Sequence, residues 1–210
     1  MKLLLLGATG LVGRETLELA LSSDVVSTVI APTRKPLAFG EKLVNPVGAN
    51  LEELVPIVMS HEPDAVICAL GTTQATAGSK KAFRHVDYEL PVALGRAAHI
   101  AGVETYAIVT AKGASTDSFS FYYRTKGEVE RAVQEIGFRS LTICRPSLID
   151  GERNAVRAAE SVALSLLRLC APILPEKFRI NPAKTIAATL LDAVIAARAG
   201  CRWINSQEMS

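Results

Sequence analysis

Tyr122 and Lys126 are spaced to work as a pair. In the run Tyr122-Tyr-Arg-Thr-Lys126 they stand at positions i and i+4, so on a helix both side chains share one face. A phenol with a reference pKa of about 10 is a poor proton donor or acceptor at neutral pH. A neighbouring ammonium favours the phenolate and moves it toward the range of a general acid or base. Tyr123 stands at i, i+3 to the same lysine and is the less well placed alternative. The spacing also suits an ordinary surface pair, so its meaning depends on what surrounds it.

A second group of residues supplies that context. Leu3–Leu6 runs without a gap into Gly7-Ala-Thr-Gly10-Leu-Val-Gly13, and an amphipathic stretch follows. This is the strand, glycine turn and helix with which a backbone grips a dinucleotide pyrophosphate. Gly7 permits the turn, Gly10 lets the main chain approach phosphate, and Gly13 allows close helix–strand packing. The amides and partial positive charge at the start of the helix then face the anion.

The end of the second expected strand bears on which dinucleotide fits. An acidic residue there binds the 2′-hydroxyl of NAD, and an arginine accommodates the 2′-phosphate of NADP. Here the chain reads Ala31-Pro-Thr-Arg34-Lys35-Pro36, with no acidic residue between Val25 and Gly40. Arg34, Lys35 and the Thr33 hydroxyl form a candidate phosphate cradle, so NADP is expected in preference to NAD. Two solvated loop cations are the competing reading.

The elements that must position these groups follow from apolar patterning. Strands are expected at Leu3–Leu6, Val25–Ala31, Leu43–Val47, Ala65–Leu70, Tyr106–Thr110 and Ser140–Cys144. Helices are expected over Leu11–Leu21, Leu51–Met59, from Asp87 as a cap to about Ala101, around Glu128–Ile136, over Ala155–Leu169 and over Thr185–Ala197. The alternation predicts an α/β, Rossmann-type, doubly wound parallel sheet with helices on both faces. One domain is expected over residues 1–210, with a small substrate-side segment over about 147–210.

Composition narrows the function. The chain has 210 residues, is 49% hydrophobic and carries a net charge of +2 with no basic block, which argues against nucleic acid or an anionic membrane as partner. The apolar run after Lys2 stops at Gly7, too short for a signal peptide, and no stretch has membrane-spanning length. Cys68, Cys144, Cys170 and Cys201 lack metal-type spacing, as do His61, His85 and His99, so no metal is expected. Cys68 and Cys144 fall in apolar runs and suit neither a disulfide framework nor an activated nucleophile, which sets aside a semialdehyde dehydrogenase. A reducing, cytoplasmic location is expected, and Trp203 is expected to anchor in the core.

In order along the chain, GATGLVG, ICALGTT, VDYELPVALGRAA, IVTAKGAS, FYYRTKGEVE and CRPSLIDGER resemble the short-chain dehydrogenase/reductase superfamily. More narrowly they resemble its atypical, NAD(P)H-binding, epimerase-like branch, including the Tat-interacting-protein-like oxidoreductases. The resemblance implies that Tyr122 is the acid–base and that Lys126 activates it and binds the nicotinamide ribose. It implies that Gly7, Thr9, Gly10, Leu11 and Val12 surround the pyrophosphate, and that Ala69, Leu70 and Gly71 pass beside the cofactor. Ser147–Ile149, after Arg145-Pro146, would approach the nicotinamide. Family members place a hydroxyl residue at the end of the fifth strand to hold a substrate carbonyl. Thr110 is the candidate here, and Ala111 occupies a place where many relatives carry the hydroxyl. The implied activity is an NADP-dependent oxidoreductase acting on a small carbonyl or hydroxyl substrate, a reductase rather than an epimerase, and a homodimer is compatible with it. The alternative is an NADP(H)-binding redox sensor without turnover.

Overall fold

The computed structural model describes residues 1–38, 40–150 and 180–209. The helix expected over Ala155–Leu169, Cys170, and the first part of the Pro172–Pro182 connection lie outside these residues.

A central parallel sheet organises the molecule. Its strands are β1 (Lys2–Leu6), β2 (Thr28–Ile30), β3 (Leu43–Val44), β4 (Ala65–Cys68), β5 (Thr105–Val109), β6 (Ser140–Arg145) and a strand near the C-terminal end of the sequence, Gly200–Asn205. Strands β7 (Leu148–Asp150) and β8 (Ile180–Pro182) pair separately, which makes Gly200–Asn205 strand β9. The spatial order β3-β2-β1-β4-β5-β6-β9 reverses direction between β1 and β4. A crevice forms outside the carboxyl ends of the strands at such a reversal. The doubly wound α/β fold expected from the alternation is therefore present.

Four consecutive leucines make β1 because it is covered on both faces. Leu3 and Leu5 pack with Val12 and Ala20 of α1 (Leu11–Ser22) and with Ile186 and Leu190 of the helix Ala183–Ala196. Leu4 and Leu6 point the other way, into a core shared with Val58 of α2 (Val55–Ser60) and with two further helices. These are α5 (Leu90–Ile100), through Leu94, and α6 (Phe121–Ile136), through Val129 and Val133. Two short helices precede α5, namely α3 (Gln74–Ala77) and α4 (Lys80–Arg84), so Ala183–Ala196 is α7.

Several elements depart from expectation. Val25 is exposed and β2 is confined to Thr28–Ile30. The helix leading into α5 does not begin at Asp87. It begins at Lys80, where Ser79 accepts a hydrogen bond from Ala82 N, and passes through a π turn, His85–Glu89, before Pro91. A proline ring crowds the carbonyl four residues earlier, here that of Asp87, and the wider π turn accommodates it. The same turn buries Asp87. Strand β9 was not expected at all, and its Trp203 is 40% exposed and lies over the Arg145 guanidinium instead of anchoring the core.

Candidate active site

The glycine turn is shaped by its neighbours as much as by its own torsions. Gly7 adopts φ +88°, and a Cβ there would come within 2.7 Å of the Ala69 carbonyl at the end of β4. At Gly13 a Cβ would stand 1.9 Å from the Gly7 carbonyl oxygen, an overlap no small shift relieves. Gly10 N donates to Gly7 O at 2.9 Å and Gly10 caps α1. A Cβ on Gly10 would lie 3.3 Å from Gly7 O, which is tight but not prohibitive.

A cavity of about 700 Å³ opens beside this turn. Gly10, Leu11 and Val12 line one side, Ala69, Leu70 and Gly71 continue the wall from β4, and Tyr122, Lys126 and Thr110 lie on it as well. Ala111 and Ser147–Ile149 also border it. Gly7 and Gly13 shape the turn without lining the cavity, and Thr9 is exposed. Arg34 and Lys35 are exposed beyond β2 and do not border the cavity.

Tyr122 and Tyr123 are told apart by position. Tyr122 lines the cavity, with its ring against Phe83 at 5.7 Å, whereas Tyr123 is half-exposed and packs edge-on against Tyr122. Burial pushes the Tyr122 phenol above its ordinary value. The Lys126 ammonium pulls it down, and Asp87 opposes that pull. Lys126 is buried and paired with Asp87 Oδ1 at 2.7 Å.

Two expected hydroxyl roles do not match the geometry. Thr110 Oγ1 donates its single proton to Glu130 Oε1 at 2.6 Å, so in this arrangement it has none for a substrate oxygen. Glu130 is itself held by Arg145, through Arg145 Nε at 2.9 Å and through Nη2 on the other carboxylate oxygen. Thr33 is likewise committed. It donates to Lys35 O at 2.7 Å and accepts from Asn45 Nδ2 at 2.8 Å, so it shapes the Arg34–Lys35 turn instead of joining a phosphate cradle.

Four supporting residues escaped the sequence reading. Asp87 reads in the sequence as a helix cap, but it is buried against Lys126. Gly127 lies in the middle of α6, where a Cβ would come 2.3 Å from Ser115 C, and a glycine inside a helical run is the signal that marks such a close approach. Glu130 lies one turn beyond Lys126 on a buried face of α6, with nothing local to name its partners. Asn181 is fully buried: its Oδ1 accepts from Ser147 N and Ser206 Oγ, and its Nδ2 donates to Ser206 O and Met209 O. Burial raises the Cys68 thiol and pushes Cys144 up to about 12, away from the thiolate form that a nucleophile needs.

Known proteins share the family and the fold of this chain. The NAD(P)H-binding family matches residues 7–164. The chain is 35% identical over 171 residues to the mitochondrial protein fmp52 of Emericella nidulans, covering 76% of this chain and 71% of the relative. It is 33% identical over 162 residues to the mitochondrial protein FMP52 of Lodderomyces elongisporus, covering 72% and 68%. These names overturn the expectation of a cytoplasmic location. Among the described residues no helix is long and apolar enough to cross a membrane. Among solved structures, the fold is similar to MoeE5 in complex with UDP-glucose and NAD, at 18% identity and a TM-score of 0.72 over 98% of this chain and 75% of that one. It is also similar to the oxidoreductase ylbE from Lactococcus lactis, at 18% identity and a TM-score of 0.67 over 97% and 90%.

Proposed function

This chain belongs to the NAD(P)H-binding family, in its atypical short-chain dehydrogenase/reductase pattern, and on that premise we propose that it is an NADP-dependent reductase of small carbonyl compounds. One observation carries the reading: Tyr122 and Lys126 line the same cavity as Gly10 and the Ala69–Gly71 wall.

The residues present suit a dinucleotide. Gly10 offers a surface without a side chain at the head of α1, and a Cβ would intrude on that surface. Gly10, Leu11 and Val12 would hold the pyrophosphate, Ala69–Gly71 would flank the nicotinamide half, and Arg34 with Lys35 would reach the 2′-phosphate. A nicotinamide cofactor supplies the hydride when bound. Tyr122 gives the phenolic proton to the substrate oxygen as the carbonyl carbon is reduced, so the O–H bond broken on the enzyme is made on the product alcohol. Lys126 holds the ribose side and keeps a positive charge beside the phenol.

A second reading, an NADP(H)-binding redox sensor, is favoured by Ala111 on the cavity wall and by the commitment of the Thr110 proton to Glu130. NADPH oxidation with a panel of aldehydes, ketones and quinones decides between them. Turnover is expected in the wild type and should fall by about 10²–10⁴-fold in Tyr122→Phe with NADPH affinity barely changed. Tight NADPH binding with no turnover on any compound would establish the sensor instead.

A further inference from the structure

Lys126 does not face Tyr122 alone. Its ammonium lies 2.7 Å from Asp87 Oδ1, and both side chains are buried. The π turn His85–Glu89 carries Asp87 into this position, and Thr72 N donates to its Oδ2 at 2.9 Å. Gly71 closes the arrangement, since a Cβ there would come 3.6 Å from Asp87 Oδ1 and 3.8 Å from Lys126 Nζ. One carboxylate oxygen is thus fixed by backbone and the other by the ammonium.

We propose that Asp87 is the positioning residue of this centre: it pins Lys126 against the Gly71–Thr72 turn and offsets its charge beside Tyr122, the proton donor. The donor role rests on the acid–base function proposed above for Tyr122. The groups that face Tyr122 are Lys126 and Tyr123 from its own helix and Asp87 from the π turn, while Phe83 covers its ring. Lys126 faces Asp87, Tyr122 and the buried Cys68 thiol. Burial alone would weaken the hold of Lys126 on its proton, but Asp87 and Tyr122 outweigh it and the ammonium is held above its ordinary value. Burial raises Asp87 against the pull of Lys126. A phenol kept neutral is in the form that reduction needs. Burial holds the Tyr122 phenol neutral first of all; Lys126 draws it toward phenolate, the form that oxidation needs, and Asp87 opposes that draw.

The test is titration of Tyr122 in the full-length protein by carbon NMR of ring-labelled tyrosine, assigned by its loss in Tyr122→Phe. In Asp87→Asn the amide oxygen can still accept from Thr72 N, the negative charge is gone, and Tyr122 should ionise about one pH unit lower than in the wild type. The alkaline limb of kcat/KM for NADPH-dependent reduction should move down by the same amount. An unchanged or higher ionisation in Asp87→Asn overturns the proposal. Should Asp87→Asn fail to fold, the double variant Asp87→Asn with Lys126→Met removes both charges and leaves neither orphaned. If Asp87 offsets Lys126, Tyr122 in the double variant ionises close to its wild-type value. If it does not, Tyr122 rises by the roughly one to three units that a lone neighbouring ammonium supplies, and the proposal fails. Because the titration needs no turnover, a chain that shifts as expected but reduces nothing refutes the reductase and not the pairing.

Discussion

The two ends of the cavity are built on different principles. Beside β1 and α1, the wall is backbone held in place by exclusion: Gly7 and Gly13 leave room for main chain and nothing else. Along α6, the wall is a set of side chains held by charge, with Asp87 on Lys126 and Glu130 between Thr110 and Arg145. Exclusion at Gly13 acts on Gly7 within the same turn and at Gly7 on Ala69 across the sheet, but both glycines sit in one short motif. Charge pairing recruits residues from distant elements. The first kind of construction can be read from a motif, and the second emerges only when the chain is folded.

Breaking the glycine wall should have the largest effect. Gly13→Ala puts a methyl 1.9 Å from the Gly7 carbonyl oxygen, and a loss of about 3 kcal/mol or more is expected, measured as a shift in denaturant midpoint. A stability near wild type would show that the turn yields and that exclusion is not what shapes it. Glu130→Gln sharpens the other side of the comparison. It leaves the Arg145 guanidinium without its carboxylate and takes the charge from the acceptor of the Thr110 proton, so a loss of about 3 kcal/mol is expected by the same measurement.

These two sites also mark what was legible in the sequence. β1, β4, β5 and β6 announce themselves because central strands are buried on both faces and read as apolar runs. β9 does not, because Gly200–Asn205 is largely exposed and carries Arg202 and Trp203 where a buried strand would show aliphatic residues. Tyr122 and Lys126 are visible as a spacing on one helix. Asp87 is hidden behind a proline and a π turn, and a capping aspartate and a buried aspartate look alike in one dimension. Thr110 was expected at the end of β5, but the direction of its hydroxyl depends on Glu130 from α6 and so lay beyond sequence reasoning.

Smaller effects are expected at Arg34, beyond β2, and at Gly10 on the cavity wall. If Arg34 pairs with the 2′-phosphate, Arg34→Ala should weaken NADPH binding about tenfold and leave NADH little changed, as isothermal titration with both cofactors would show. Equal weakening of the two would remove Arg34 from the 2′-phosphate. The smallest expected change is in the stability of Gly10→Ala, where the new methyl meets Gly7 O at 3.3 Å. A loss of no more than about 1 kcal/mol is expected in thermal unfolding. A collapse as severe as that of Gly13→Ala would mean that the wall tolerates side chains no better where it faces the cavity than inside the turn.

Asn181 gives the segment Ser206–Met209 a grip on the cavity. Its amide accepts from the Ser147 backbone on one side and from the Ser206 hydroxyl on the other, and donates to the Ser206 and Met209 carbonyls, and all four of these bonds are closed inside the protein. The segment Ser206–Met209 therefore works as a latch: releasing it would unfasten Ser147, and with it the wall that Leu148 and Ile149 present to the cavity.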